Sequence, residues 1–528
     1  MTPTPADPSA PSPSGNRAQP RKGAGICYLA GAGPGDPGLI TVRAMELIRS
    51  CDVIVYDYLV NAELLRHCRA DAELIYAGKK AGQHTLRQPE INALLVEKTT
   101  AGHRVLRLKG GDPILFGRGA EEAEALEAAG LAYEFVPGIS SALAGPLYAG
   151  IPVTHREHNA VLTIFTGHED PDKEASGLDY RSLATAAGTK VMLMGVQRLA
   201  PITARLIEGG ADPTTPVALV RWATTGRQQT LTGTLDDIAD KAAAAGFQAP
   251  AVAVIGSGVG CRQRLNWFES RPLFGRRIVV TRTRQQAGVL SAQLAALGAD
   301  VQELPTIRID PAPDPVAFAR MVADAHTYDW LVFTSPNGVD VFFKAFFQAY
   351  DDVRSIGGAR IAVVGPGTGS KVKEYRLAVD LMPKERFVAE GLVEAFGELD
   401  IENQTVLWVR PDKTRDLIAA ALAGRGAIVD ELVAYRTVAE TGDVGGGQAR
   451  LREEGADVIT FTSASTAENF AALNLPVPDT TLLASIGPVT SQAMRDLGMR
   501  VDLEASEHTI PGLVRVIREH FEGTRASR

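Results

Sequence analysis

Two glycine-rich loops carry the clearest chemical signal in this 528-residue chain. An apolar run that ends at Leu108 leads into residues 109–119, KGGDPILFGRG, and an earlier apolar run leads into residues 31–38, GAGPGDPG. Glycine lets a ligand approach the main-chain amides at the end of a strand, where a side chain would block it. The two loops therefore predict a cofactor cleft within one domain.

The first loop imitates a dinucleotide-binding fingerprint, because the acidic Asp57 follows it by about twenty residues at the end of another apolar run. The third glycine position of that fingerprint, however, is occupied by Asp36. Close helix packing and a bound pyrophosphate both disfavour a carboxylate there. With a second glycine loop in the same domain, a nicotinamide site is disfavoured.

Apolar runs alternate with helical stretches through the first half of the chain, which is the α/β pattern. The runs cover residues 53–56, 105–108, 161–165, 191–194, 217–220 and 251–255. Pro137 and Gly138 are predicted to divide this half into two lobes, about 25–137 and 138–268. Residues 269–275 are predicted to be a linker, because a different pattern begins at Arg277.

The second half contains a duplication. Residues 333–335 and 461–463 both read FTS, and residues 298–299 and 426–427 both read GA, at the same offset of 128 residues. Such a repeat predicts two similar α/β lobes with a cleft between them. Hydroxyl-rich turns that close the strands would present amides and hydroxyls to anions, so we expect a polyanionic ligand.

The composition is that of an ordinary soluble protein, with 45% hydrophobic and 22% charged residues. A net charge of -8 argues against nucleic-acid binding, and no apolar run is long enough to span a membrane. The four cysteines lack the spacing of metal ligands, so we expect reduced thiols, no bound metal and a cytoplasmic location. The proline-rich residues 1–24 are expected to form a disordered tail.

Residues 25–268 resemble the uroporphyrinogen-III C-methyltransferases, which methylate a tetrapyrrole with S-adenosylmethionine (SAM). Beyond the two glycine loops, the resemblance rests on motifs in the family's order: YD at 56–57, GKKAG at 78–82, VPGIS at 136–140, GIPVTHR at 150–156, TGH at 166–168 and LNWF at 265–268. It implies a two-lobed fold with SAM against Pro34, Gly110, Gly111, Asp112, Leu115, Ser140, Ser141, Met194 and Ala223. For Met194 alone, a core methionine that ends a buried strand is the alternative.

The same resemblance implies the residues that move protons. The methylated ring must lose a proton, and Asp57 matches the family's proposed acceptor, with Lys79 as the donor. The alternative is that these two residues form a surface ion pair. Arg156, in the THR motif, could bind carboxylates of the tetrapyrrole.

Two positions depart from the family pattern. Many relatives carry arginine directly after the aspartate, where this chain has Tyr58. Arginine could bind a substrate carboxylate bidentately, whereas tyrosine donates one hydrogen bond. Trp222 and Ala223 replace a more polar pair, which puts the adenosine contact there in question.

Residues 275–521 resemble uroporphyrinogen-III synthase through the order of their turns: FTSPNG at 333–338, VGP at 364–366, YR at 435–436, FTS at 461–463 and IGPVT at 486–490. The resemblance implies a chain that crosses between lobes, so that 276–309 joins 437–522 and 310–436 forms the other lobe. Tyr435 matches a family tyrosine thought to assist loss of the substrate's hydroxyl, unless it only packs at the lobe crossing. Ser335, Ser463 and Thr490 could bind carboxylates, although turn capping explains such residues as well.

Together the two resemblances imply a bifunctional enzyme. The second half would cyclise hydroxymethylbilane to uroporphyrinogen III, and the first would methylate it twice to precorrin-2, for sirohaem or cobalamin synthesis. We expect a homodimer that associates through the methyltransferase domain. The alternatives are methylation of a later corrinoid precursor, and a second half that binds tetrapyrrole without catalysis.

Overall fold

The computed structural model describes residues 25–526, except 70, 79–85, 158, 169–176, 282–283, 415 and 441–445. The tail predicted for residues 1–24 lies outside this range. Contacts divide the chain into two compact units: Met1–Ile278 with Ala292–Val301 and Arg518–Arg528, and Val279–Ser291 with Gln302–Ile517. The linker predicted for residues 269–275 falls inside the first unit, and the predicted domain limits stay a prediction.

The first sheet contains five parallel strands: β1 Ile26–Gly31, β2 Val53–Tyr56, β3 Glu73–Tyr76, β4 Arg104–Lys109 and β5 Ala132–Val136. Their order is β3-β2-β4-β1-β5. Helices cover both faces: α1 Val42–Ser50, α2 Gln88–Thr100 and α3 Gly119–Ala128. Alternate residues of β1 point to opposite faces, so that Tyr28 packs with α1 and Leu29 packs with α2 and α3.

The strand order in this sheet brings the two glycine loops close together. Because β2, β4 and β1 are parallel neighbours, their carboxyl ends lie at one edge. The two glycine loops and Asp57 all follow these strand ends. This is the edge at which open α/β sheets bind their ligands.

The second sheet is mixed and contains β6 Leu162–Thr166, β7 Thr189–Leu193, β8 Pro216–Arg221, β9 Gln229–Thr234 and β10 Ala251–Ile255, in the order β6-β7-β10-β8-β9. Its helices are α4 Ser141–Tyr148, α5 Tyr180–Thr185, α6 Leu199–Glu208, α7 Ile238–Ala244 and α8 Arg262–Leu265. Strand β10 is antiparallel to both β7 and β8. Those two strands therefore end at the same edge, which carries Met194 and Trp222.

Two further five-stranded sheets form the second half. Their strands are β11 Arg277–Val280, β12 Asp300–Glu303, β13 Ile307–Pro311, β14 Trp330–Phe333, β15 Arg360–Val363, β16 Thr405–Pro411, β17 Ile428–Ala439, β18 Val458–Phe461, β19 Leu482–Ser485 and β20 Leu503–Glu504. The helices are α9 Arg284–Ala296, α10 Pro315–Ala323, α11 Pro336–Ala349, α12 Pro366–Glu374, α13 Ala389–Phe396, α14 Leu417–Ala423, α15 Gly447–Glu454, α16 Ala464–Ala472, α17 Pro488–Asp496 and α18 Ile510–Ala526.

The repeat seen in the sequence is a repeat of topology. One sheet has the order β12-β11-β18-β19-β20 and the other β13-β17-β16-β14-β15. By position in the repeat, β11 and β12 correspond to β16 and β17, while β14 and β15 correspond to β18 and β19. Each sheet therefore combines two strands of the first repeat with two of the second. The α/β fold class with duplicated lobes is confirmed.

Two expectations from composition can be compared with the described residues. Cys27, Cys51 and Cys261 are buried free thiols, and Cys68 is half-buried. Burial raises the pKa of the Cys51 thiol to about 11, which keeps it protonated at neutral pH. Within the part of the chain that the structure describes, every helix is too short or too polar to cross a membrane.

Candidate active sites

The two glycine loops are bonded to each other. Gly111 N donates to the carbonyl of Gly33 at 2.7 Å, and Gly33 N donates to that of Gly111 at 3.2 Å. Both residues have left-handed φ angles, +80° at Gly33 and +70° at Gly111, which glycine adopts without strain. A Cβ atom on Gly31 or Gly138 would collide with the carbonyl of Gly111. The two loops therefore form a cradle of bare backbone that packs too closely at residues 31 and 138 to admit side chains.

Asp112 holds this cradle in shape. Its Oδ1 accepts hydrogen bonds from Ile114 N at 2.8 Å and Leu115 N at 2.9 Å. Its Oδ2 accepts from Gly138 N at 3.1 Å. We expected the carboxylate to bind the cofactor, whereas these bonds tie its own loop to the turn at 138. A carboxylate oxygen has room for a further donor, so both roles are compatible.

The second lobe reaches the same loops. Ser140 caps α4, with its Oγ accepting from Ala142 N at 3.2 Å, and its Cα lies 3.9 Å from the point where Gly111 would carry a Cβ. Ala223 O lies 3.2 Å from the corresponding point on Gly35. Leu115 packs against the apolar core of the second lobe. The structure thus gathers predicted SAM residues from both lobes.

Backbone strain is concentrated in the loops that carry the predicted SAM residues. Eight non-glycine residues in the described chain have positive φ angles, and five of them lie in these loops: Phe116, Arg118, Met194, Trp222 and Thr224. Such conformations persist where a structure holds them for function. Met194 is 50% exposed, so the alternative of a core methionine is wrong.

Asp57 lies next to the second glycine loop. Its Oδ1 accepts from Leu59 N at 3.0 Å, and its Oδ2 accepts from Gly110 N at 3.4 Å. Arg107 Nη2 lies 3.8 Å from the same Oδ2. Lys79, the predicted donor, lies outside the described residues, so the pair of Asp57 and Lys79 stays a prediction.

A buried charge cluster beside Asp57 was missed by the sequence analysis. Glu122 Oε1 accepts from Arg107 Nε at 3.1 Å and from Lys109 Nζ at 2.7 Å. All three side chains are at least nine-tenths buried. Burial and the nearby Arg107 lower the pKa of Lys109. The available signal was the spacing of Arg107 and Lys109 on an otherwise apolar strand.

Arg156 is exposed in a turn that follows the second lobe's first helix. Two main-chain hydrogen bonds between His155 and Asn159, at 2.8 and 2.9 Å, close this turn. The side chain of Arg156 is therefore accessible to an anionic ligand. Its predicted contact with a substrate carboxylate stays a prediction.

The second half brings Ser335 and Tyr435 together. Their hydroxyl oxygens are 2.9 Å apart, and Ser335 Oγ also accepts from Gly338 N at 3.0 Å, which caps α11. Tyr435 is only 4% exposed, and this burial raises the pKa of its hydroxyl. A register shift between Arg410 and Pro411 sets the position of Tyr435 on β17.

The other predicted hydroxyl residues lie at similar turns. Ser463 caps α16, accepting from Thr466 N at 3.3 Å, and Thr490 is buried in the first turn of α17. Helices α11, α12, α16 and α17 each begin directly after a parallel strand. Capping accounts for Ser335 and Ser463 without a ligand, while the helix N-termini remain suited to anions.

Comparisons with known proteins match the two halves of the chain to two different families. The family of Tetrapyrrole (Corrin/Porphyrin) Methylases matches residues 27–239, and Uroporphyrinogen-III synthase HemD matches residues 288–515. The Porphyrin biosynthesis protein HemD of Ruminiclostridium josui is 35% identical over 494 residues, which cover 93% of this chain and 97% of that protein.

Two further relatives match shorter parts of the chain. The S-adenosyl-L-methionine-dependent uroporphyrinogen III methyltransferase of Methanosarcina barkeri is 52% identical over 44% of this chain and 92% of its own length. A Uroporphyrinogen-III C-methyltransferase of Bacillus subtilis is 42% identical over 63% of this chain and 68% of its own length. Both resemblances drawn from the sequence are confirmed. The chain therefore belongs to the family of tetrapyrrole biosynthesis enzymes that fuse a uroporphyrinogen-III C-methyltransferase to a uroporphyrinogen-III synthase.

Proposed function

We propose that residues 276–522 close hydroxymethylbilane to uroporphyrinogen III and that residues 25–268 methylate this product twice to precorrin-2. The observation that carries the proposal is the bonded pair of glycine loops at Gly33 and Gly111, in a half that is 52% identical to a SAM-dependent methyltransferase. The product would enter sirohaem or cobalamin synthesis.

The residues of the first half fit SAM. Glycines at residues 31 and 138 let the two loops pack backbone to backbone, and the nearest atoms to the Cβ position of Gly111 are 3.9 Å away. Met194 offers an adaptable apolar contact. When bound, SAM supplies an electrophilic methyl group on a sulfonium. The protein's part is to align the substrate's pyrrole carbon with that methyl group and to exclude water.

Asp57 is proposed as the acceptor of the proton that the methylated ring loses, with Lys79 as the donor. Support comes from its position at the ligand edge of the sheet and from Arg107 Nη2 at 3.8 Å. Arg156 is proposed to bind a substrate carboxylate.

In the second half, Tyr435 is proposed to donate a hydrogen bond to the hydroxyl that leaves the bilane. Its neighbour Ser335 orients it at 2.9 Å. The N-termini of α11 and α12 and of their repeats α16 and α17 are proposed to bind the substrate's carboxylates, together with Ser335, Ser463 and Thr490.

One assay of the full chain tests both activities. Hydroxymethylbilane is supplied with and without SAM, and the products are separated as isomers. We expect uroporphyrinogen III without SAM and precorrin-2 with it. Formation of uroporphyrinogen I alone would mean that the second half only binds tetrapyrrole, and failure to methylate added uroporphyrinogen III would contradict the first half.

Assembly and location are also proposed. Leu143, Leu147 and Trp267 are exposed apolar side chains of the methyltransferase half, and Trp267 Nε1 donates to Leu147 O at 3.2 Å. Apolar neighbours of this kind favour self-association, and we propose a homodimer through this half. Light scattering of the purified chain would measure it. We propose a cytoplasmic location, which fractionation of cells would check.

A further inference from the structure

Asp36 occupies a position in the first glycine loop that methyl transfer does not explain. Its Oδ1 accepts a hydrogen bond from Gly38 N at 2.8 Å, which caps the turn that follows. Its Oδ2 accepts one from the hydroxyl of Tyr148 at 3.0 Å. Tyr148 is the last residue of α4, so one carboxylate joins the first lobe to the second.

The main chain of Asp36 makes a second link to that lobe. Asp36 N donates to Thr224 Oγ1 at 3.0 Å, and Thr224 N donates to Gln228 Oε1 at 2.9 Å. Gln228 Nε2 then donates to the carbonyl of Tyr148 at 3.2 Å. These four hydrogen bonds form a closed ring through Asp36, Tyr148, Gln228 and Thr224, which we call the lobe clasp.

Three of the four members of the lobe clasp are buried, and Asp36 is half-buried. Tyr148, Thr224 and Gln228 are 8%, 3% and 4% exposed. A polar ring whose members are all hydrogen-bonded is rigid, and removal of one member leaves its partner without a hydrogen bond.

The ring of Tyr148 is itself held in place. It packs edge-on against Trp267 and Phe268, with centroid distances of 5.0 and 4.8 Å. Burial and the nearby Asp36 raise the pKa of Tyr148 to about 12. Its hydroxyl therefore stays a donor at any physiological pH.

The clasp lies beside predicted SAM contacts of both lobes. Pro34 precedes Asp36 by two residues, and Ala223 directly precedes Thr224. Ala223 O also lies 3.2 Å from the point where Gly35 would carry a Cβ. A change in the clasp would therefore move the two walls of the cofactor cleft relative to each other.

We propose that the lobe clasp fixes the width of the SAM cleft, with Asp36, Tyr148 and Gln228 as positioning residues. The inference rests on the proposed binding of SAM between these lobes. A cleft that is set before binding costs less ordering when the cofactor enters. Loss of the clasp is therefore expected to weaken cofactor binding more than it slows the chemical step.

Calorimetric titration of the full chain with S-adenosylhomocysteine tests the proposal. Tyr148→Phe removes one hydroxyl and keeps the ring, and we expect about fivefold to twentyfold weaker binding, a raised KM for SAM and a nearly unchanged kcat. Thr224→Val removes the hydroxyl that accepts from Asp36 N and so breaks the same ring of hydrogen bonds at another place. The double variant should bind no more weakly than the worse single variant, because residues of one network are not additive.

Tyr133→Phe is the matched control, since Tyr133 is an exposed tyrosine on β5 of the first lobe and takes no part in the clasp. It should bind S-adenosylhomocysteine as the parent does. If Asp112→Ala weakens binding and Tyr148→Phe does not, the clasp is only structural and the inference is overturned. If neither variant weakens binding, the proposed SAM site itself is wrong. Additive effects of Tyr148→Phe and Thr224→Val would also contradict a single closed ring.

Discussion

The rings of Tyr58 and Trp222 meet edge-on, with centroids 5.9 Å apart and planes inclined at 64°. These are the two positions at which the chain departs from its family's pattern, and the structure puts them in contact across the two lobes. The guanidinium of Arg227 lies over the ring of Trp222, 4.2 Å from its centroid. The two departures are therefore one feature, an aromatic contact with a cation stacked on it.

Tyr58→Arg tests whether this feature faces the substrate. Tyr58 is 54% exposed, so an arginine can be accommodated and can still stack on Trp222. We expect the KM for uroporphyrinogen III to fall several-fold at low salt and the gain to shrink as salt rises. Tyr58→Phe, which keeps the ring and adds no charge, should leave the salt dependence unchanged. Equal KM values for all three proteins would mean that position 58 contacts no carboxylate.

Asp112→Ala is expected to weaken SAM binding at least tenfold, equivalent to about 1.4 kcal/mol. The variant leaves three main-chain amides, at residues 114, 115 and 138, without their acceptor. Asp112→Asn keeps one acceptor oxygen and should weaken binding less. Calorimetric titration with SAM measures both variants, and the rate of ring closure in the other half serves as the control for folding. Unchanged SAM affinity in Asp112→Ala would remove the residue from the site.

Asp57→Asn is expected to leave SAM binding nearly unchanged and to slow methyl transfer by about a hundredfold, the usual contribution of a positioned base. Asparagine keeps the acceptor for Leu59 N, so the loop should stay folded. A single-turnover experiment with uroporphyrinogen III separates this step from product release. A rate equal to that of the parent would exclude Asp57 as the proton acceptor.

The glycine loops could be predicted because each follows its own strand, and local sequence reports a strand end. Their bonded contact at Gly33 and Gly111 depends on strand order, which no local pattern contains. Arg107 alternates with Leu106 and Leu108, a pattern typical of a strand with one exposed face. The strand is central in a parallel sheet covered on both sides, so Arg107 is buried instead.

Contacts between residues that are far apart in the sequence could not be predicted either. Ser335 and Tyr435 are 100 residues apart, and Asp36 and Tyr148 are 112 apart. Ser335, Tyr435 and Asp36 could be singled out by type, but the partner of each is set by the tertiary fold. The repeat in the second half predicted paired lobes, because a duplicated sequence conserves turns and strand ends.

Tyr435→Phe is expected to slow ring closure by about tenfold to a hundredfold, roughly 1.4 to 3 kcal/mol, without unfolding the domain. The variant loses the hydroxyl that Ser335 holds at 2.9 Å and keeps the buried ring. Burial raises the pKa of Tyr435 above its ordinary 10.0. A raised pKa means that the hydroxyl keeps its proton as the pH rises, so the parent's rate should not fall between about pH 7 and 9 through this group.

The ratio of isomers measures this prediction directly, because spontaneous closure gives uroporphyrinogen I. Slower enzymatic closure in Tyr435→Phe should raise the share of that isomer, and Ser335→Ala should shift it in the same direction by a smaller amount. Tyr328→Phe is the control, since its hydroxyl bonds Asp430 at 2.8 Å instead of Ser335. If Tyr435→Phe matches the parent in both rate and isomer ratio, Tyr435 only packs, and the two lobes must direct closure through the shape in which they hold the bilane.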